Sequence, residues 1–178
     1  MANEKIALLA EGESERAILD LLLDNHKLKF TRDELLEEEV IKIRNAATFQ
    51  RQHLNHSSDR KLKIYRIHDS KREIFKLGKA YIDKIALPIE EIYTTPEIEI
   101  LFIIFKGDYQ KYTRGNSKSK SKPSLYVKNN YKDLNQCKHY DTVYNFWESR
   151  IDDLVNCIKL YAQYTADNIN NTLCSLLI

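Results

Sequence analysis

The stretch KIALLAEGESE at residues 5–15 constrains the fold more than any other feature of the chain. Its apolar run at residues 5–10 is typical of a strand buried on both faces, as in a parallel sheet covered by helices on both sides. Glu11 and Gly12 follow at once, and residues 14–25 then carry apolar side chains at helical spacing. The stretch therefore predicts a strand, a sharp turn allowed by the glycine, and a helix.

Strand-like and helix-like patterns alternate along the rest of the first hundred residues. Strand patterns cover residues 40–45 and 62–69, and helix patterns cover residues 32–38, 48–53 (capped by Thr48) and 72–86 (ended by Pro88). This alternation predicts βαβ units, in which helices flank a mainly parallel central sheet. We therefore expect an α/β, Rossmann-like core over residues 1–105 of a single domain.

The later part of the chain predicts helices and one long basic segment. Thr95 and Pro96 favour a helix start before the apolar run at residues 98–105, whose composition would also suit a strand, and we predict a buried helix. Residues 106–138 form a Lys/Tyr-rich segment that contains a predicted loop at 113–124. Residues 139–178 predict a C-terminal helix, whose apolar stripe packs on the core.

Composition excludes several classes of protein. The chain has no run of about 20 apolar residues, so a membrane span is not expected. The N-terminus does not resemble a secretory signal, and the three cysteines are widely spaced, without a zinc pattern. These features favour a cytoplasmic protein with reduced thiols.

Acidic residues stand where two predicted strands end. Glu11 ends the first strand and Asp69 ends the third, and ligands of such sheets bind beyond the carboxyl ends of the strands. Glu15 lies in the first turn of the following helix. Three converging carboxylates suit Mg²⁺ or Mn²⁺, which also bind substrate phosphates. Alternatively, Glu13 and Glu15 only complement a helix N-terminus, although that does not account for Glu11.

An apolar strand ending in Glu-Gly, an acid four residues after that glutamate, and a later strand ending in Asp resemble a Toprim domain. This domain occurs in topoisomerases, primases, OLD-family nucleases and related phage-defence proteins. The resemblance implies that Glu11 is a catalytic glutamate and that Glu11, Glu15 and Asp69 hold Mg²⁺ or Mn²⁺. The family's second aspartate is replaced, because the sequence reads Asp69-Ser70-Lys71.

The stretch TTPEIEILFII at residues 94–104 also resembles RloB-like proteins, in which a Pro turn opens an apolar helix that carries a glutamate. Pro96 and Glu99 occupy comparable places. Together the resemblances imply a nuclease that cleaves phosphodiester bonds of RNA or DNA in phage defence. The alternative is a catalytically degenerate Toprim-like module that binds nucleic acid or a partner protein, as Lys71 at the second aspartate position favours.

Lys71 has two possible roles. Its ammonium beside Asp69 could stabilise charge that develops on a phosphate, which would make it a second catalytic residue. The alternative is an ordinary surface lysine.

The basic segment predicts a nucleic-acid contact. Residues 106–138 contain nine Lys and Arg residues against two acids, with tyrosines interleaved. Cations bind phosphates and aromatic rings stack on unpaired bases. The predicted contact residues are Lys106, Lys111, Arg114, Lys118, Lys120, Lys122, Lys128 and Tyr126. The alternative is a solubilising loop whose tyrosines pack on the core.

Overall fold

The computed structural model of the chain describes residues 4–55, 61–114 and 121–178. Among these residues, four parallel strands form one sheet in the order β2-β1-β3-β4. The strands are β1 (Lys5–Ala10), β2 (Ile41–Lys42), β3 (Leu62–His68) and β4 (Ile85–Tyr93). The α-helices are α1 (Glu13–Asp24), α2 (Ala46–Phe49), α3 (Ile100–Phe105), α4 (Tyr109–Arg114), α5 (Pro123–Asn130), α6 (Tyr140–Glu148) and α7 (Ile151–Tyr164). The predicted α/β architecture is confirmed.

Strand β1 lies at the centre of two hydrophobic cores. Leu8 and Ala10 belong to the larger core, which α1, α3, α6 and α7 cover, whereas Ala7 and Leu9 belong to a smaller core that includes residues of α2. All four side chains are fully buried. Because successive side chains of a strand point to opposite faces, this division confirms a strand buried on both sides.

Helices α1 and α3 agree with the predicted helix patterns. Helix α1 ends where expected, and the Asn25 side chain donates a hydrogen bond to the Leu21 carbonyl (2.8 Å). The run at residues 98–105 is a buried helix rather than a strand, although its helical turns begin at Ile100, after the Thr95–Pro96 turn. In the part of the chain that the structure describes, no helix is both long enough and apolar enough to cross a membrane.

The predicted helix at residues 72–86 is wrong. A 3₁₀ helix covers Lys79–Lys84, and β4 begins directly after it. Pro88 therefore does not end a helix but lies within β4, the edge strand, near a register shift opposite Lys63 and Tyr65. An edge strand tolerates proline because one of its sides needs no ladder hydrogen bond.

Several shorter predictions needed correction. Strand β2 is limited to Ile41–Lys42, and residues 32–38 form two 3₁₀ turns rather than one helix. Asn45 rather than Thr48 caps α2, since its Oδ1 accepts a hydrogen bond from the Thr48 amide (2.8 Å). A π-helical turn, Gln50–Leu54, then extends α2.

The C-terminal part contains two helices rather than one. Helices α6 and α7 are separated at residues 149–150, where the Arg150 amide bonds to the Trp147 carbonyl (2.8 Å) and Arg150 leaves the helical conformation. The predicted apolar stripe still packs on the core, with Trp147 and Leu154 fully buried. The predicted loop at 113–124 is helical at both ends, because α4 ends at Arg114 and α5 begins at Pro123. Residues 115–120 of this loop lie outside the described residues.

Candidate functional site

The carboxyl ends of the parallel strands bring distant residues to one edge of the sheet. Glu11 follows β1 directly, and its amide donates to the Ile67 carbonyl of β3 (3.2 Å). Asp69 follows β3, and the Thr95 hydroxyl donates to its carbonyl (3.1 Å). Since all four strands run in the same direction, their following loops converge at this edge.

A cavity of about 320 Å³ opens at this edge. The structure brings Glu11, Glu15 and Asp69, the three predicted metal ligands, into its lining. In the part of the chain that the structure describes, six acidic and three basic side chains line the cavity. Among the described residues, its lining consists of Glu11, Gly12, Glu13, Ser14, Glu15, Arg44, Asp69, Glu97, Glu99, Lys122 and Lys138. The excess of carboxylates makes the cavity attractive to cations.

Glu11 lies between solvent and the core, with 13% of its side chain exposed. Its Oε1 pairs with Nη2 of Arg44 (2.9 Å). Within the described residues, its Oε2 is buried and has no hydrogen-bond partner. Burial raises the pKa of Glu11 above its usual range; Arg44 opposes this increase, whereas Asp69 adds to it. A positive partner for Oε2 would therefore stabilise this carboxylate.

Glu15 is buried in the first turn of α1. Burial raises the pKa of its carboxyl to about 7, and the nearby carboxylates of Glu99 and Asp69 contribute to the increase. The carboxyl therefore exchanges a proton near neutral pH, which is the range in which general acids and bases operate.

Gly12 serves this site by its small size. Its backbone is extended (φ −130°), a conformation that any residue adopts, so the sharp turn expected from its flexibility is not the reason for the glycine. A Cβ atom at Gly12 would lie only 2.7 Å from Oε2 of Glu15. The glycine therefore leaves room for the Glu15 carboxylate.

Two glutamates after β4 complete the acidic lining. Glu99 is buried, and its Oε1 accepts a hydrogen bond from the Ser14 hydroxyl (2.7 Å). Glu97 accepts hydrogen bonds from the Ser124 amide (2.9 Å) and from Lys138 Nζ (3.0 Å). Burial raises the pKa of Glu99, whereas at Glu97 these donors outweigh burial and lower the pKa. Glu97 is thus firmly ionised, and Glu99 is held less strongly in that form.

Five of these lining residues were not predicted as site residues, namely Glu13, Ser14, Arg44, Glu97 and Lys138. Glu97 follows β4. Because the sequence pattern predicts a helix over the first residues of this strand, it predicts no strand end near Glu97. Arg44 lies just beyond β2, which is shorter than the strand predicted at residues 40–45. Lys138 comes from the basic segment, 127 positions after Glu11 in the chain. Glu99 was marked only by the RloB resemblance.

Lys71 lies outside the lining of this cavity. Its ammonium pairs with the carboxylate of Asp167, which follows α7, and lies over the ring of Tyr93 (5.6 Å). It is thus part of a contact between the loop that follows β3 and the C-terminal tail. A role for Lys71 in catalysis would require this ion pair to open.

The predicted nucleic-acid residues divide into four groups. Lys122 lines the cavity, 3.8 Å from Glu97. Lys106, Lys111, Arg114 and Lys128 are exposed on the surface, and Tyr126 packs half-buried against the rings of Tyr112 and Tyr131. Lys118 and Lys120 lie outside the described residues. The packing of Tyr126 supports the alternative that this tyrosine belongs to the core.

The carboxylates are not assembled as a metal centre in this arrangement. Across residues 4–55, 61–114 and 121–178, no group of three or more His, Cys, Asp and Glu side chains could hold a metal ion as it stands. Arg44 pairs with Glu11, and Ser14 and Lys138 contact Glu99. Carboxylate oxygens are the ligands that Mg²⁺ and Mn²⁺ prefer, but these ion pairs and hydrogen bonds would have to rearrange before a cation could bind here.

Comparisons of this chain with protein-family models, with curated proteins and with solved structures found no match.

Proposed function

We propose that this protein is a Toprim-like enzyme that uses Mg²⁺ or Mn²⁺ to cleave phosphodiester bonds in RNA or DNA. One observation carries the proposal. Glu11 and Asp69, which follow β1 and β3, and Glu15 of α1 are the residues that the Toprim resemblance marks as the site, and they line one cavity at the carboxyl edge of a parallel sheet. We further propose, from the family analogy alone, that the protein takes part in phage defence. The same analogy is the basis for proposing a cytoplasmic location and a partner protein.

The residues of the cavity would divide the chemistry between them. Glu11, Glu15 and Asp69 would hold the cation, which when bound polarises a phosphate oxygen and helps to activate water. Glu11 would serve as ligand or general acid/base, and Glu15, whose pKa is raised to about 7 in the metal-free protein, would bind the cation in its ionised form. Lys122, exposed at the same cavity, would contact the phosphates of the substrate.

A second candidate function is a catalytically degenerate module that binds nucleic acid or a partner protein. Two contacts favour it. Lys71, at the position of the family's second aspartate, pairs with Asp167, and Arg44 already neutralises Glu11. Such a module would retain nucleic-acid binding and would not cleave.

The deciding experiment incubates purified protein with labelled RNA and DNA in the presence of Mg²⁺, Mn²⁺ or EDTA. We expect metal-dependent cleavage that Glu11→Gln reduces by about 10²-fold or more, because the variant keeps the shape of the side chain and removes its charge. Glu90→Gln is the matched control, since Glu90 is a carboxylate on β4 that pairs with Lys63 outside the cavity lining.

The same proteins distinguish the two candidates by their melting temperatures. A cation that binds the folded cavity should raise the melting temperature of the wild-type protein by about 5 °C at saturation, and Glu11→Gln should remove this increase without destabilising the metal-free protein. Binding of nucleic acid without cleavage would favour the second candidate. A metal response that persists in Glu11→Gln would contradict the assignment of the site.

A further inference from the structure

Two stacked tyrosines lie where the basic segment meets the end of α7. The ring of Tyr164, the last residue of α7, stacks on the ring of Tyr109, the first residue of α4, with centroids 4.4 Å apart and 20° between the ring planes. Tyr164 is 46% exposed. Among the described residues, Tyr109 is its one ring contact and its hydroxyl makes no hydrogen bond. The Tyr164 ring is therefore held from one side by Tyr109 and is accessible to solvent.

Helix α7 connects this pair to the carboxyl edge of the sheet. Tyr161, one turn before Tyr164, is buried, and its hydroxyl donates to the Thr95 carbonyl. The Thr95 hydroxyl donates in turn to the carbonyl of Asp69, which lines the cavity (3.1 Å). Two successive hydrogen bonds thus join the last turn of α7 to the edge where the cavity opens.

Helix α4 connects the pair to cations. The Tyr112 hydroxyl, one turn after Tyr109, donates to the carbonyl that precedes Lys122 (2.9 Å), and Lys122 lines the cavity. Lys111 and Arg114 are exposed on α4, and within the described part of the chain neither forms an ion pair. Cations bind phosphates and an exposed ring stacks on a base, so this helix and Tyr164 together offer both kinds of contact.

A second stacked pair, Tyr140 and Tyr144 on α6, does not offer them. Its hydroxyls donate to the carboxylates of Asp20 (3.0 Å) and Asp24 (3.3 Å), and the Arg16 guanidinium lies over the Tyr140 ring (5.6 Å). Carboxylates beside both hydroxyls repel phosphates. The charged side chains of α4, by contrast, are all basic.

We propose that Tyr164 is a base-stacking site for single-stranded nucleic acid, whose phosphates contact Lys111 and Arg114 on α4 and which reaches the cavity at Lys122. Bases of a single strand expose their faces to an aromatic ring, whereas in a duplex neighbouring bases cover them. This inference rests on the proposed function, since it names single strands as the substrate class. It requires no metal ion, because side chains of this chain make all of the contacts.

The inference predicts that the aromatic ring of Tyr164 determines the affinity for single strands. Tyr164→Leu should bind them at least about threefold more weakly than wild type, because it removes the ring and keeps an apolar side chain. Tyr164→Phe keeps the ring and should stay within about twofold of wild type. Fluorescence anisotropy with labelled, non-self-complementary RNA and DNA strands of about 12 nucleotides, in EDTA, measures these affinities.

Duplexes and a neighbouring variant serve as controls. Duplexes of the same sequences should bind wild type and Tyr164→Leu with affinities within about twofold of each other, because their bases are already stacked. Leu160→Ala removes an apolar side chain that is 36% exposed one turn earlier on α7, and it should leave the affinity for single strands within about twofold of wild type. Thermal melts check that each variant is folded.

The outcomes separate the inference from the proposed function. Equal binding of single strands by wild type and Tyr164→Leu would overturn the stacking site, and so would an equal loss in Tyr164→Phe or an equal loss on duplexes. A wild-type protein that binds no single strand would overturn it as well. The cleavage assay tests the proposed function independently, because the binding measurements contain no metal. Ring-dependent binding without cleavage would support the stacking site and favour the degenerate binding module.

Discussion

At the scale of single residues, Glu15 shows how burial determines the charge state of this site. Its carboxyl lies in the first turn of α1, in the space that Gly12 leaves open, and close to Glu99 and Asp69. Removal from water and these neighbouring acids favour the protonated form and raise its pKa to about 7. The metal-free cavity therefore carries less negative charge at neutral pH than its six acids would indicate.

This pKa predicts how stability depends on pH. A carboxyl that binds its proton more tightly in the folded state contributes stability below its unfolded pKa, and this contribution is lost as the pH rises from about 4.5 to about 7. Glu15→Gln should remove that loss and be more stable than wild type at pH 8, by on the order of 2–3 kcal/mol, with little difference near pH 4.5.

Urea unfolding of both proteins between pH 4.5 and pH 8 measures this effect. Glu90→Gln provides the comparison for loss of a carboxylate elsewhere. Glu11 and Glu99, whose pKa values are also raised, should leave some pH dependence in Glu15→Gln. Parallel stability curves for wild type and Glu15→Gln would contradict the burial argument.

At the scale of the elements, β4 and α3 illustrate how context selects between strand and helix. Residues 85–93 contain a proline and two exposed positions, Leu87 and Pro88, which weaken any local strand signal, yet they pair with β3 from Leu62 to His68 with one register shift. Residues 100–105 are apolar throughout and form a helix, because α5 and α7 pack against it and its side chains join the larger core that also contains Leu8 and Ile67. Tertiary packing outweighs local propensity in both elements.

The burial of α3 predicts the outcome of a charge substitution. Leu101 is 2% exposed, so Leu101→Asp would bury an unpaired charge and should destabilise the protein by several kcal/mol, enough to prevent folding. Leu125→Asp is the control, since Leu125 is 49% exposed on α5, and it should change stability by less than about 1 kcal/mol. Circular dichroism and thermal melts compare the two, and a folded, cooperative Leu101→Asp protein would contradict the position of α3.

At the scale of the whole molecule, the C-terminal tail joins the N-terminal half to the rest of the fold. Leu177 forms an antiparallel bridge with Leu28, and the Ile178 amide bonds to the Lys27 carbonyl (3.1 Å). The ion pair of Lys71 and Asp167 adds a second connection at the edge where the cavity opens. The chain thus closes on itself around the sheet, and the acidic cavity and the basic segment come to share Lys122 and Lys138.

This arrangement predicts how nucleic acid would bind. Changing Lys118, Lys120 and Lys122 together to alanine should weaken binding of RNA and DNA uniformly across sequences and reduce the slope of log affinity against log salt by about 2–3, since phosphate contacts release counterions. Replacing the exposed Lys61, Lys76 and Lys79 is the control for net charge. An unchanged slope in the first triple variant would show that the basic segment is not the contact surface.

The sequence by itself determined the parts of this protein that depend on neighbouring residues. The apolar run of β1 predicted a strand buried on both faces, and the order of strands and helices predicted a parallel sheet. From these two features it followed that Glu11 and Asp69, each just past a strand, would lie at one edge of the sheet with Glu15 beside them.

Only the tertiary structure decided the partners of those acids. Arg44, Glu97 and Lys138 reach the cavity from separate parts of the chain, and their contacts depend on the pairing of β4, the end of β2 and the fold of the basic segment. No local pattern encodes such long-range pairings, because the energy that selects them comes from packing and ion pairing between segments far apart in sequence. For the same reason, the sequence could nominate Lys71 as a catalytic residue but could not reveal its ion pair with Asp167.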